Sequence, residues 1–404
     1  MTAGALDGIR VVDFGHVWAG PYGTALLADL GAEVIKVESR THLDVHRRQG
    51  PYPHGQAGVD RSGVWNAQNR GKLGCTLNLT APEGVALAKR LVAVSDVVVE
   101  NFAPRVMARL GLDYAALRAV RADLIMVSLP GFGSTGPDRD HVSYGQSLIA
   151  ASGIAATTGY PGGPPMSLGE SYPDLAAGCH AAFAILAALH HRLETGEGQH
   201  VDISQLESAI CLLPEPILEL AMTGRIPAQT GNRDDAMAPH GCFRCLGDDR
   251  WVAIAVGTDE EWAALRRTMD DPDWARDARF ADAPGRLRHQ DELERRIEAW
   301  TETRAAEEIA ARLQQAGVPA AVSMTVADLL RDPHLAARGA FVEVDHPETG
   351  PQVVYAPVWR LSDTPAVIRR PAPCLGQHND YVFGELLGLS AGEIEELVRR
   401  EIIR

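Results

Sequence analysis

With 404 residues the chain is long enough for two to three domains, and 46% hydrophobic with 23% charged residues is the balance of an ordinary globular protein. A formal net charge of −15 argues against a nucleic-acid or anionic-membrane partner, so any anionic ligand must be held by local basic residues. No basic segment followed by an apolar run opens the chain, no stretch reads as long enough to span a bilayer, and six scattered cysteines form no disulfide framework, which makes a cytoplasmic location the expectation.

Residues 9–14 are a short apolar run bounded by glycine, 21–30 have helical spacing and 33–38 alternate like a strand, giving a β-loop-α-β opening. Glu38 ends the second strand, where a dinucleotide site would place an acid. The loop from Gly15 to Gly23 nevertheless lacks the glycine spacing that brings a pyrophosphate against a helix N-terminus, so NAD is rejected. A second unit follows: strand 75–79, helix 82–94, strand 96–100, helices 104–110 and 114–120, and strand 124–129. Strands alternating with helices imply parallel pairing through right-handed crossovers, with ligands beyond the carboxyl ends of the strands. Gly131-Phe132-Gly133-Ser134-Thr135-Gly136 matches GxGxxG, but Pro137-Asp138-Arg139-Asp140 stands where a helix should begin, so this segment reads as turns beside a site.

A Gly/Pro-rich segment then ends in Ser171-Tyr172-Pro173-Asp174, and an Ala-rich helix follows to about residue 192. Proline suits the first helical turn, which places Asp174 near unpaired N–H groups and the positive end of the helix dipole. Both favour its ionised form and would ready it as a nucleophile. Beyond it come strand 199–204, helix 206–213 interrupted by Pro214 and Pro216, and a linker at 224–239. From residue 240 the pattern changes to a hairpin, helices at 260–269, 290–301 and 304–316, and a strand at 319–324. Cys242 and Cys245 have no second ligand pair and read as structural residues of that hairpin rather than as a metal or redox motif. Strands near 341–344 and 352–361, a Pro-rich run and an acidic helix close the chain.

Five stretches carry a resemblance: GIRVVDFGHVWAGPYGTALLADLGAEVIKVE, NRGKLGCTLNL, ENFAPRVMARLGLDY, residues 157–192, and CLGQHNDYVFGELLGL. In their order and over nearly the whole chain, they resemble the class III CoA-transferase family, which includes formyl-CoA, carnitine-CoA and benzylsuccinate-type transferases. The resemblance implies an α/β fold. Its doubly wound, Rossmann-like large domain would be discontinuous (1–224 and 333–404), with a smaller α+β domain at 225–332 and an interlocked homodimer. It implies no prosthetic group, coenzyme A entering as substrate, and acyl-CoA and a carboxylic acid as partners.

Residue by residue, Asp174 falls at the family's catalytic aspartate. His16, Val17 and Trp18 match the loop whose backbone approaches the acyl group. Asn101 and Phe102 match the Asn-Phe of the coenzyme site, and Arg109 the arginine eight residues after that asparagine. Arg70 and Lys72 fall in the NR-x-K motif, and Gly131, Phe132 and Gly133 in the loop near the thioester. Arg40 or Ser39 aligns with a further coenzyme contact. Arg105 lies four residues before Arg109, on one helix face. Trp18 and Asp234-Asp235-Ala236 depart from the formyl-CoA enzyme and speak against formyl or oxalate specificity. Transfer would run through an aspartyl anhydride and an aspartyl-CoA thioester. The rival on this fold is an α-methylacyl-CoA racemase, whose histidine position is Tyr144 here, with His141 nearby. A non-catalytic acyl-CoA-binding protein is the third reading.

Overall fold

Six short strands, four of them built on valine and isoleucine, run parallel: β1 (Arg10–Asp13), β2 (Glu33–Glu38), β3 (Leu73–Thr76), β4 (Val97–Glu100), β5 (Ile125–Ser128) and β6 (His200–Asp202). Their order is β3-β2-β1-β4-β5-β6, so β1 pairs with β2 on one side and β4 on the other, and the winding direction reverses between β1 and β4. The crevice beyond the strand ends at such a switch point is where α/β sheets bind ligands.

The computed structural model describes residues 3–169 and 171–403. Because neighbouring strand residues face opposite ways, each strand feeds two cores. On one face Val12, Ile35, Val98 and Met126 pack with Leu87 and Leu91 and with the C-terminal Phe383 and Ile403. On the other, Val11, Val34, Val97 and Ile125 pack with Leu27, Ala177, Ala181 and Ile185. Each such fully buried aliphatic side chain is worth roughly 1.5–3 kcal/mol before entropy is counted.

The helices of this unit are α1 (Ala19–Asp29), α2 (Gly63–Asn69), α3 (Pro82–Ala93), α4 (Arg105–Leu110), α5 (Tyr114–Arg118), α6 (Gly145–Ala151), the single turn α7 (Ile154–Thr157), α8 (Tyr172–Thr195), α9 (Gln205–Ile210) and α10 (Pro214–Thr223). The sequence pattern missed α2 and α6, which are only seven residues each and carry no clear apolar period. Pro214 and Pro216 do not break a helix. They open α10, where a missing N–H costs nothing.

Helices α1 and α8 meet through glycines: a Cβ on Gly178 would lie 2.9 Å from the Ala19 carbonyl and 3.1 Å from the Gly23 nitrogen. Contrary to the sequence reading, α8 is by length and composition apolar enough to cross a bilayer. Its buried face, Ala177, Gly178, Ala181, Ala182, Ile185 and Ala188, is occupied by protein, as in a core helix.

Contacts divide the chain into two units, Met1–Ala155, Ser167–Gly224 and Ala336–Arg404 forming one, and Ala156–Met166 with Arg225–Leu335 the other. The second unit has an antiparallel sheet of β7 (His240–Arg244), β8 (Trp251–Ala255) and β9 (Ala320–Val322). It packs on α11 (Asp259–Thr268), α12 (Ala283–Arg288), α13 (Gln290–Thr301) and α14 (Ala306–Gln315) through Trp262, Phe280, Ile297 and Leu313. Cys242 is exposed and Cys245 buried. The first unit closes with the hairpin β10 (Phe341–His346) and β11 (Gly350–Tyr355), the latter shorter than the run 352–361 suggested.

Candidate active site

The carboxyl ends of β1 and β4 hold a cleft of about 310 Å³ lined by His16, Val17, Asn101, Phe102, Gly131, Arg139, His141, Tyr144 and Asp174, among others. Sequence positions up to 158 apart thus converge on the switch point, all within the first unit.

One wall is the loop after β1. Beneath it Asp13, Lys36 and Lys72 are fully buried. Lys72 donates to Asp13 at 2.8 Å and to the Pro21 carbonyl at 2.8 Å, and Lys36 lies 3.6 Å from Asp13 and donates to the Gly15 carbonyl. Burial by itself would raise the Asp13 pKa, but the two ammonium groups override it and hold it at about 2. Burial also takes Lys72 down to about 8 against the pull of Asp13, and burial with the nearby Lys36 takes His16 to about 4, so His16 is neutral at pH 7. Such charges are tolerated in a core only because they are paired and hydrogen-bonded.

The loop's own amides are consumed: Gly15 N–H by Asp13 (2.8 Å), His16 N–H by Asn101 (2.7 Å) and Val17 N–H by Asp44 (2.8 Å). The next helix, α1, starts with no side-chain cap. Its Ala19 N–H lies beside the carboxylate of Asp174 and favours its ionised form.

Asp174 sits in the first turn of α8, 7% exposed. The nearby Ser171 hydroxyl, the His46 ring and the amides at this helix start also favour the anion, while the Asp174 N–H itself donates to the Ser171 carbonyl at 3.1 Å. Burial outweighs them, so the pKa lies above the ordinary aspartate value rather than below it. The sequence reading weighed the dipole and the free amides but had no measure of burial. Opposite, a Cβ on Gly145 would overlap the Asp174 carboxylate and the Ser171 hydroxyl and come within 2.8 Å of Ser171 Cβ, so α6 approaches the start of α8 too closely for any side chain there.

The remaining expected residues divide. Phe102 packs edge-on to His16 (5.3 Å between centroids), Gly131 and the 64%-exposed Tyr144 line the cleft, and Phe132 stacks edge-on to His141 at 5.4 Å. Gly133 takes a left-handed turn at φ 83° that only glycine enters freely. Trp18 packs edge-on to His46 at 5.6 Å, and its Nε1 donates to Gln68 at 2.8 Å. Arg105 is exposed and paired with Asp140 at 2.7 Å, and Arg109 is exposed on α4.

Two cations are not where the motif placed them. Arg70 is 1% exposed, bonded to Asp29 at 2.6 Å and to the Tyr355 hydroxyl at 2.9 Å with its guanidinium over that ring. Lys72 is committed to Asp13. Both are core counter-ions, because a group paired and enclosed in this way has no face left for a phosphate. Arg40 is exposed beyond β2, in a small crevice with Ser39, Thr76 and Ile402 rather than in the cleft, so the choice between Arg40 and Ser39 concerns one place. The sequence reading missed Asp44, Gln68, Lys36, Ser171, Gly145 and Arg139. Among the described residues no cluster of His, Cys, Asp or Glu could hold a metal ion.

The sequence profile of CoA-transferase family III matches residues 6–379. The chain belongs to that family. This family III enzyme is 39% identical over 398 residues to a succinyl-CoA–D-citramalate CoA-transferase of Chloroflexus aurantiacus, covering 98% of both chains. It is 35% identical over 385 residues to a succinate–glutarate CoA-transferase of Agrobacterium fabrum, covering 94% of this chain and 95% of that one. Its structure is similar to that of a CAIB/BAIF family protein from Brucella suis, with a TM-score of 0.87, 32% identity, and coverage of 96% and 100%. The family III CoA-transferase therefore moves coenzyme A between an acyl-CoA and a carboxylic acid.

Proposed function

We propose that this CoA-transferase exchanges coenzyme A between succinyl-CoA, or a similar dicarboxylic thioester, and a second small carboxylic acid, with Asp174 as the covalent nucleophile. The substrate class is supported by the succinyl-CoA, succinate and glutarate in the relatives' names. The nucleophile rests on one observation: a carboxylate in the cleft lining, almost shielded from water and beside the amide at a helix start.

In this reading the Asp174 carboxylate attacks the thioester carbonyl. The acyl carbon–sulfur bond breaks, leaving a mixed anhydride and the CoA thiolate. The thiolate attacks the aspartyl carbonyl, expels the donor acid and leaves an aspartyl-CoA thioester, and the acceptor carboxylate runs the same steps in reverse. An anhydride keeps the group-transfer potential that hydrolysis would lose. When the thiolate attacks Asp174, the oxyanion forms beside the Ala19 N–H and the Ser171 hydroxyl, groups that already favour negative charge on this carboxyl, so donors are at hand before charge develops. The consumed amides of Gly15, His16 and Val17 leave that role to the start of α1. Phe102, Gly131, Tyr144 and Arg139 line the coenzyme's path, with Arg105 and Arg109 beyond them on α4.

The test is to incubate enzyme with succinyl-CoA and no acceptor, quench, and map the peptide 172–180 by mass spectrometry. A hydroxylamine-trapped aspartyl hydroxamate at Asp174 is expected, since anhydrides and thioesters react with it and free carboxylates do not. Solvent deuterium entering the α-carbon of a 2-methylacyl-CoA, with no adduct, would overturn the proposal in favour of proton exchange through His141.

We also propose a homodimer, interlocked as in the resemblance. Helix α10 buries none of its residues and exposes Ile217, Leu218, Leu220 and Met222, while Phe183 and Leu193 of α8 are 74% and 81% exposed. So much clustered apolar surface calls for a cover, and a second copy supplies it. Light scattering at micromolar concentration should give twice the chain mass, and a monomer would refute it.

A further inference from the structure

The wall formed by residues 15–18 is held harder than a lining loop requires. Val17 is left-handed, at φ 64°, a conformation that is strained for a β-branched residue and persists only where its surroundings over-determine it. Those surroundings are explicit. Asn101 Oδ1 accepts from the His16 N–H at 2.7 Å while its Nδ2 donates to the His16 carbonyl at 2.8 Å, so one side-chain amide grips both peptide groups of one residue. Asp44 accepts from the Val17 N–H, and the Gln68 amide, oriented by its partners, donates to the Val17 carbonyl, both at 2.8 Å. Asn101 is the one of these three that reaches from the end of β4 to the end of β1, across the switch point. Its amide also abuts the first turn of α1, since a Cβ on Gly20 would lie 3.3 Å from Oδ1.

We propose that Asn101 is a positioning residue for the transfer step rather than a coenzyme contact: by clamping His16 it holds Val17 left-handed and keeps the start of α1, with its Ala19 N–H, beside Asp174. This rests on Asp174 being the nucleophile. A side chain whose carbonyl and amide are both spent on His16 has little left for coenzyme A, whereas releasing it would let the loop relax and withdraw a donor from the reacting carboxylate.

A coenzyme contact and a clamp differ in what they change. Calorimetric titration with free CoA, steady-state kinetics with succinyl-CoA and the rate of Asp174 labelling are measured for Asn101→Ala. We expect the Kd for CoA to stay within about twofold while kcat and the labelling rate fall about 50-fold, as misplacement by a fraction of an ångström costs. Asn101→Asp, which keeps the acceptor for the His16 N–H and loses the donor, should fall between wild type and alanine at the same Kd. Glycine adopts the left-handed conformation freely, so the kcat penalty of Asn101→Ala should shrink at least about threefold when measured in a Val17→Gly background.

A tenfold weaker CoA affinity with kcat unchanged, or an identical penalty in both backgrounds, would overturn the proposal. Failure of the Asp174 reading would show separately, as wild-type enzyme that transfers CoA without ever labelling Asp174.

Discussion

Asp174→Ala should reduce transfer by at least about 10⁴-fold, to the background left when a covalent nucleophile is removed and only binding groups remain. The protein should still fold and bind CoA. A first-turn carboxylate contributes only about 1 kcal/mol to its helix, and the face of α8 that packs on α1 is untouched. Wild-type enzyme should show an acid limb that comes from the same residue. Attack needs the ionised form, and burial raises the Asp174 pKa, so activity is present above that raised value and is lost as pH falls through it. The limb should therefore lie above the pKa of about 3.9 expected of an exposed aspartate. Transfer by the alanine variant within a few-fold of wild type would sink the assignment, and an acid limb at the exposed-aspartate value would show that the attacking group is not this buried one.

The alternation of strand and helix was plain in residues 9–129 because valine-rich runs bounded by glycine carry their own boundaries, and five of the six parallel strands follow from it, β6 being added from beyond α8. The place of Asp174 in a first helical turn was legible for a local reason, proline and an acid at the start of an apolar helix. What was hidden is nonlocal. Nothing near Arg70 says that Asp29 and Tyr355 enclose it, and a cation in a short motif reads the same whether it faces a phosphate or a core carboxylate.

One signal was present and unread. Asp13 and Lys36 interrupt the apolar strands VVDF and EVIKVE, and parallel strands are covered on both faces, so charges there must find each other. The direction of the Asp174 pKa was misjudged for a related reason. Helix position can be read from sequence, whereas burial depends on how closely α6 and α1 approach.

That approach yields the second large effect. Gly145→Ala adds one carbon at a residue whose conformation alanine adopts without strain, since Gly145 is not among the left-handed glycines. The added Cβ has nowhere to go. It would overlap the Asp174 carboxylate and the Ser171 hydroxyl and sit 2.8 Å from Ser171 Cβ, and that last atom is fixed to the backbone at the start of α8. Either the carboxylate swings off the Ala19 N–H or α6 moves away from α8. The first loses the alignment of nucleophile and donors, and a misplacement of about 1 Å is worth about 10²-fold in rate. The second is overpacking, which costs about 1–3 kcal/mol of stability. Both should appear together: kcat down about 10²-fold, a melting temperature lowered by a few degrees, and a Kd for CoA changed far less, because Gly145 reaches the nucleophile and not the outer cleft. A variant with kcat within about threefold of wild type would mean that Asp174 and Ser171 have room to yield. The close approach of α6 would then be incidental to catalysis.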